Sequence, residues 1–216
     1  MTITTEDDPT PLVLIMANVV RRSEAANPNT VAKLKGVAAV RSMHDPQAVT
    51  LRFAKGDVHV EHGVAADAGV RIAMDFDLDG LPGAPKPKVT GALRHLRFAL
   101  GLAKVLEPPL PDLATATREF WTAASAVQGM PSGLRMIATD TDEVGEAGDD
   151  STEVYEISGP VDRLVRILTG QAVALVELEG GRCNVRGSLG AAVALTRATV
   201  LYGMGELGAG EGSVDA

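Results

Sequence analysis

The chain has 216 residues, which suits one large domain or two small ones and lets a fold bury on the order of 70% of its unfolded surface. Its formal net charge of −8 argues against nucleic acid as the main partner, and its single cysteine, Cys183, excludes an internal disulfide. Aromatic residues make up only 3% of the chain, so its core must be built from small aliphatic side chains.

The first 44 residues predict a polar start followed by a helical arm. Residues 1–10 are polar and acidic and predict a disordered N-terminus. The apolar run at 12–20 ends in two arginines and predicts an ordinary helix. Nine residues are too few to span a bilayer, and a helix lying on a membrane surface is the alternative. Residues 30–40 predict a second short helix, so that 11–44 form the arm.

The next segment predicts three antiparallel strands. Residues 49–53 and 58–60 alternate apolar and polar side chains around a short turn, and 70–74 alternate in the same way. One apolar face on such a sheet needs helices to cover it. A short strand at 89–93 then turns into a helix at 94–106.

The second half of the chain continues with alternating elements. They are predicted as a helix at 112–127, a strand at 134–138, a charged loop at 139–151, a strand at 152–158, a helix at 161–168, a strand at 182–187, a helix at 189–202 and a flexible tail at 204–216.

Two stretches of the sequence repeat one pattern. VRIAMDFDLDGL, from Val70, parallels VYEISGPVDRLV, from Val154, and VTGAL, from Val89, parallels VRGSL, from Val185. Each V-x-G-small-L sequence is followed by an apolar helix. We therefore predict an α+β fold with a mainly antiparallel sheet covered by helices and an internal strand–helix–strand–helix repeat. The body is predicted at 45–203, with pseudo-repeats at about 49–128 and 129–203.

The later repeat carries a family resemblance. The sequences EISGPVDRLVRILTGQ, from Glu156, and GGRCNVRGSLGAAVALTRA, from Gly180, resemble the C-terminal half of the sterol-carrier-protein-like (type 2) domain. Residues 49–75 resemble the early strands of that family more loosely. The resemblance implies a domain that binds lipids or acyl chains in an apolar cavity, or one that serves as an oligomerising module.

Apolar helix residues are the candidate ligand-binding positions. Flexible methionine side chains adapt to varied apolar shapes, although the same residues can equally fill a core. The candidates are Leu96, Leu100, Phe120, Trp121, Met130 and Met136.

Several motifs are too incomplete to indicate catalysis. The sequence DFDLDG, from Asp75, matches the first half of a calcium loop, but Lys86 stands where the bidentate glutamate belongs. The G-x-G-x-x-G sequence from Gly203 follows a helix instead of a strand. The four histidines lack zinc-site spacing, and no serine lies in a nucleophile elbow. The sequence thus predicts no enzyme activity, no metal and no cofactor, and it predicts an unreactive, buried Cys183.

Three functional hypotheses follow. The first is non-enzymatic binding or carriage of an apolar small molecule, such as a lipid, sterol or acyl chain, in a cavity between the sheet and the helices of a cytoplasmic protein. The second is an assembly module that self-associates or docks on a protein partner through apolar helices, and a transient membrane contact also stays open. The third is an isomerase, because SGPVDRLVRILTGQ, from Ser158, resembles the accessory domain of mycothiol-dependent maleylpyruvate isomerases. The catalytic part of those enzymes is a metal-binding helical bundle, and this sequence has no His-rich bundle.

Overall fold

The computed structural model describes residues 1–54, 56–76, 85–149 and 154–207. The chain divides into two compact units, Met1–Pro109 and Leu110–Ala216. Each unit has its own sheet, helices and hydrophobic core. The division falls between residues 109 and 110, whereas the sequence analysis places the repeat boundary near 128 and treats 11–44 as a separate arm.

The first unit has its helices at both ends of a strand-rich segment. Its described elements are β1 (Ile3–Thr5), α1 (Pro11–Ala26), α2 (Pro28–Lys33), β2 (Gly36–Ser42), β3 (Ala48–Ala54), β4 (Asp57–His62), β5 (Val70–Met74), β6 (Lys88–Thr90) and α3 (Leu96–Leu106). The sheet order is β1-β4-β3-β2-β5-β6. The β1–β4 and β2–β5 pairs are parallel, and the other pairs are antiparallel.

The second unit begins and ends with a helix. Its described elements are α4 (Leu113–Ala124), β7 (Gly133–Ala138), β8 (Val144–Gly148), β9 (Val154–Gly159), α5 (Val161–Leu168), α6 (Ala174–Glu179), β10 (Asn184–Arg186) and α7 (Leu189–Met204). The sheet order is β10-β9-β7-β8, with β7 and β9 parallel and the other pairs antiparallel. The predicted α+β class with mainly antiparallel pairing is confirmed.

The two units share one pattern of strand pairing. Each has a hairpin (β2–β3 or β7–β8), a strand parallel to the first hairpin strand (β5 or β9), a short antiparallel strand (β6 or β10) and a closing helix (α3 or α7). Each V-x-G-small-L sequence joins the short strand to that helix. The predicted internal repeat is therefore present as a shared topology. Residues 77–81, which the repeat aligns with residues 161–165 at the start of α5, lie outside the described residues.

The first core lies between α1, α3 and one face of the sheet. Thr10 caps α1 through its side-chain oxygen, and Pro11 occupies the first turn. The apolar row of α1, which includes Val13 and Val20, is buried against strand residues such as Leu51. Residues 12–20 therefore form an ordinary packed helix, as the preferred prediction had it.

The second core is built from the helices and the sheet of its unit together. Phe120 of α4, Met136 of β7, Tyr155 of β9, Leu164 of α5 and Leu195 of α7 are all almost fully buried in it. The strand residues alternate, so that every second side chain of β7 and β9 points into this core. The aromatic-poor composition predicted such a core of mainly aliphatic side chains.

Residues 36–40 form a strand, which corrects the prediction of a helix at 30–40. The helix α2 ends at Lys33, and β2 begins at Gly36, whose φ of 146° glycine adopts readily. Ala38 and Ala39 favour a helix intrinsically. However, β2 pairs with both β3 and β5, and these two ladders override the local preference.

The third predicted strand pairs differently from the expectation of three successive antiparallel strands. The strand β5 pairs parallel with β2 and not with β4. The chain crosses the sheet after β4, and the backbone N–H of Gly69 donates to the carbonyl of Val37 at 2.9 Å as it arrives beside β2. A crossover of this kind leaves no signal in the alternation of a single strand.

Three further elements lie in segments predicted to be irregular. The strand β1 lies within the predicted disordered start, β8 lies within the predicted charged loop, and α6 lies between the predicted helix at 161–168 and the predicted strand at 182–187. The strand β8 was not predicted because it contains two glycines, a residue type that is depleted in strands. A Cβ atom at Gly145 would collide with Thr117 of α4, so the glycine lets α4 lie close against β8.

Candidate functional site

The six predicted ligand-binding residues divide between the two units. Leu96 and Leu100 lie on α3 of the first unit with 55% and 60% of their surface exposed. Phe120 and Met136 are fully buried in the core of the second unit, and Trp121 and Met130 pack against that core. The second unit thus brings four of the six residues together in or against its hydrophobic core, whereas the other two lie on the surface of the first unit.

One surface cavity lies at an end of the first unit. It has a volume of about 450 Å³, and its lining includes Asn27, Thr30, Lys104 and Glu107 beside apolar residues. None of the six predicted residues lines it. Its mixed lining is more suitable for a polar group than for an acyl chain.

A second groove, of about 690 Å³, lies on the solvent face of the second sheet. A row of alternating charge crosses all four strands there, from Glu146 through Arg135 and Glu156 to Arg186, since these residues are cross-strand partners. Arg135 and Glu146 are 2.9 Å apart and form an ion pair. The charges support the sheet face through cross-strand attraction and make this groove polar.

Among the described residues, the most exposed large apolar side chains occur at the same topological position in both units. Leu93 is 94% exposed in the turn before α3, and Leu189 is 81% exposed at the start of α7. They are equivalent residues of the two V-x-G-small-L sequences. In each unit the exposure continues back to the valine of the short strand and forward along the outer face of the helix.

We name the two surfaces by their composition. The basic apolar surface of the first unit consists of Val89, Leu93, Leu96 and Leu100 together with the exposed cations Lys86, Lys88, Arg94, Arg97 and Lys104. The α7 stripe of the second unit consists of Val185, Leu189, Val193 and Val200.

The helix α3 presents two opposite faces. Phe98, Leu102 and Val105 are buried in the first core, while Leu96 and Leu100, one turn apart, lie on the outer side. The charge pattern of residues 85–106 was visible in the sequence, where five cations occur without an acidic residue. That pattern, which the sequence analysis did not use, could have identified this surface.

The one cysteine of the chain lies buried beside an ion pair. Cys183 is almost fully buried, as predicted, and burial raises the pKa of its thiol to about 11. The negative charge of nearby Glu177 contributes to the same shift. Arg182 donates to Glu177 at 2.7 Å, so the buried carboxylate beside the thiol is already paired. A protonated thiol is a poor nucleophile.

The other charged clusters are ion pairs that support the fold. In the first unit, Arg52 donates to Glu61 and to Asp67, both at 2.8 Å, and its hydrogen bond lowers the pKa of the Asp67 carboxyl. His44 and the buried Asp75 are 3.0 Å apart. Among residues 1–54, 56–76, 85–149 and 154–207, no three His, Cys, Asp or Glu side chains are grouped as a metal site would require.

Two sequence motifs lie partly outside the described residues. The rest of the calcium-like sequence after Phe76 and the last glycine of the G-x-G-x-x-G sequence lie in undescribed residues. Gly205 of the latter ends α7 in a left-handed conformation, with φ of 76°. Within the described part of the chain, no helix is both long enough and apolar enough to cross a membrane.

Comparison with known proteins gives no family assignment. No protein-family model matches the sequence. No curated protein matches it either. A solved structure described as "UbiJ-SCP2 Ubiquinone synthesis protein" matches with 12% identity over 91% of this chain and 96% of that chain, with a TM-score of 0.25. The α+β assignment therefore rests on the helices and strand pairing described above.

Proposed function

We propose that the protein binds an apolar molecule without transforming it, and that it does so at the basic apolar surface and the α7 stripe. The observation that carries this proposal is the exposure of large aliphatic side chains at equivalent positions of both units, with Leu93 and Leu189 the most exposed of them. Exposed apolar patches of this kind mark binding sites in proteins.

The packing of the interior favours a surface site over an internal tunnel. Phe120 and Met136 are enclosed by other side chains, and Phe120 meets the ring of Tyr202 edge to face at 5.6 Å between centroids. An exposed leucine, in contrast, gains about 1.5–3 kcal/mol when an apolar ligand or partner covers it. Leu96 and Leu100 remain in the proposed site, and Phe120 and Met136 act as core residues.

Membership of the sterol-carrier-like family forms part of this proposal. The resemblance in the sequence is supported by the geometry of the shared motif, because Val185 lies in a strand, Ser188 caps a helix and Leu189 begins it. The absence of catalysis is likewise proposed. It is supported by the raised pKa of the Cys183 thiol and by the pairing of Glu177 with Arg182.

A fluorescent fatty acid and its displacement by unlabelled lipids test the proposal. We expect binding at micromolar concentration. We expect a Leu96→Ser, Leu100→Ser double variant to raise the Kd at least about tenfold, because the apolar contacts of both leucines with the ligand are lost. The matched control is Val144→Ser, a partly exposed valine outside both surfaces, which should leave the Kd unchanged. Absence of probe binding to the wild type at these concentrations would refute the proposal.

Self-association through the α7 stripe is a second candidate, favoured by the composition of α7. Leu189, Val193 and Val200 share one exposed face of this helix, and Arg197 is its only charged residue. A helix that is apolar on nearly all sides is normally covered. In a symmetric dimer, two such stripes would pack against each other.

Native mass spectrometry and sedimentation velocity test this second candidate. We expect a dimer at tens of micromolar protein and a monomer for Val193→Glu, because the substitution places a charge in the middle of the contact. Arg94→Glu, an equally exposed change in the first unit, should leave the dimer intact. A wild-type protein that stays monomeric throughout this concentration range would exclude the candidate.

A further inference from the structure

We propose that the basic apolar surface of the first unit docks on a bilayer that contains anionic phospholipids. The inference deepens the proposed function and rests on it in one respect, since both use the side chains of Leu96 and Leu100. It adds the physical form of the lipid, which is a membrane surface, and it assigns a role to the five cations.

The helix α3 has the geometry of an interfacial helix that is held by a folded domain. Its inner face is fixed in the first core by Phe98, Leu102 and Val105. Its outer face carries Leu96 and Leu100 over a helix about 16 Å long. A row of this kind can enter the boundary between headgroups and acyl chains without any unfolding of the unit.

The charge of this surface is opposite to that of the whole protein. Residues 85–106 contain five Lys and Arg residues and no Asp or Glu, whereas the chain carries a net charge of −8. The remaining residues therefore carry a formal charge of −13. Among the described residues, Lys86, Lys88, Arg94, Arg97 and Lys104 form no ion pair with one another or with any acidic side chain. A surface with this charge attracts anionic headgroups, while the rest of the protein is repelled, and the first unit is oriented toward the membrane as a result.

The cations flank the leucines, as an interface requires. Arg97 and Lys104 lie beside the Leu96 and Leu100 row on the outer side of α3, and all four are exposed. Long basic side chains can place their alkyl stems against apolar surface and their charges among phosphates. Leu93 projects from the preceding turn with 94% of its surface exposed, next to Arg94.

The same features disfavour other partners for this surface. In a symmetric contact between two copies, the surface faces itself, so that five cations would meet five like charges. Single-stranded nucleic acid is bound with aromatic stacking platforms, whereas the exposed apolar residues here are aliphatic.

The second unit supplies an internal comparison. Its α7 stripe exposes similar aliphatic side chains, but the cations around it are fewer, and Arg182 is already bonded to Glu177. We therefore assign the membrane contact to the first unit.

The test measures co-sedimentation of the full-length protein with sucrose-loaded vesicles. One set contains phosphatidylcholine alone, and the other contains phosphatidylcholine and phosphatidylglycerol at a ratio of seven to three. The charge variant replaces Lys86, Lys88, Arg94, Arg97 and Lys104 by glutamine, and the apolar variant carries Leu93→Ser and Leu96→Ser. The control variant carries Leu175→Ser and Val176→Ser, which are exposed apolar side chains outside both surfaces. Far-UV circular dichroism establishes that each variant is folded.

We expect the wild type to partition at least about a hundredfold more strongly onto the anionic vesicles, since each basic residue near such a surface adds to the binding. Added salt should weaken this partition. The charge variant and the apolar variant should each lose most of it, and the control variant should retain it. Equal binding to both vesicle types, undiminished binding by the charge variant, or a loss caused by the control variant would each overturn the inference.

A neutral apolar probe, Nile red, separates this inference from the proposed function. The charge variant should still bind Nile red, because the leucines remain. If the wild type binds Nile red and fatty acid but does not bind anionic vesicles, the membrane inference is wrong and the proposed function stands. If no apolar probe binds while the vesicles do, the proposed function fails and the surface is a membrane anchor only. If Leu96→Ser instead dissociates a dimer, the surface is a contact between copies and the membrane inference is wrong.

Discussion

Replacing Phe120 with alanine is expected to lower the free energy of unfolding by about 3–5 kcal/mol. The ring has no exposed surface, and it packs edge to face against Tyr202 at an interplanar angle of 89°. Its removal leaves a cavity between α4 and the rest of the second core, which is enclosed and closes only partly around a missing ring. The lower free energy of unfolding has two causes: the hydrophobic stabilisation from burying the ring is lost, and an unfilled cavity remains.

Chemical denaturation followed by the fluorescence of Trp121 measures the effect. This residue is the only tryptophan and lies next to Phe120 on α4, so its signal reports on the second unit. Val193→Ala, at a side chain that is 63% exposed, is the control and should change the stability by less than about 0.5 kcal/mol. A loss below about 1 kcal/mol together with weaker ligand binding would identify Phe120 as part of a ligand cavity instead.

Gly187→Val is expected to destabilise the second unit by about 3 kcal/mol. Gly187 joins β10 to α7 with φ of 156°, and a Cβ atom at this position would collide with the ring of Tyr155. That ring is buried in the second core and cannot move without displacing its neighbours. The tight turn predicted from the V-x-G-small-L sequence is present, and the collision adds to the backbone strain expected there.

Substitutions at two other glycines distinguish the energetic cost of the collision from that of the backbone strain. Gly181 has φ of 65°, and a Cβ atom added there would meet no other atom within 4 Å, so Gly181→Ala measures the strain of a positive φ alone. Gly190 lies within α7, where the space is open, and Gly190→Ala should raise the stability slightly. If Gly187→Val leaves the denaturation midpoint of the second unit unchanged, the turn is not constrained as described.

The sequence predicted those elements whose signals are local. Asp112 and Ser188 are N-cap residue types at the starts of α4 and α7. Both side chains accept the backbone hydrogen bond expected of an N-cap. The repeated V-x-G-small-L sequence placed two strand-to-helix turns correctly, because glycine and the following apolar helix are required there together. In each of these cases, the deciding interaction joins residues within a few positions of one another.

The elements that the sequence analysis missed depend on distant partners. Residues 36–40 became a strand because β3 and β5 pair with them on both sides. The strand β8 has two glycines and an exposed glutamate, and it exists because β7 pairs with it and α4 packs against it. For the candidate site, helical periodicity selected Leu96, Leu100 and Phe120 alike. Whether such a residue faces a core or solvent is decided by the sheet beneath its helix, which periodicity does not reveal.

The placement of β1 sets an order of assembly for the first sheet. Its residue Ile3 pairs with Val58, a separation of 55 residues, whereas Ala38 and Val70 of the parallel β2–β5 pair in the same sheet are 32 residues apart. Loop closure over the longer segment costs about 0.5 kcal/mol more conformational entropy. The three-residue strand β1 offsets this cost with few hydrogen bonds, so we expect it to join its sheet late during folding and to leave it early in a partial opening.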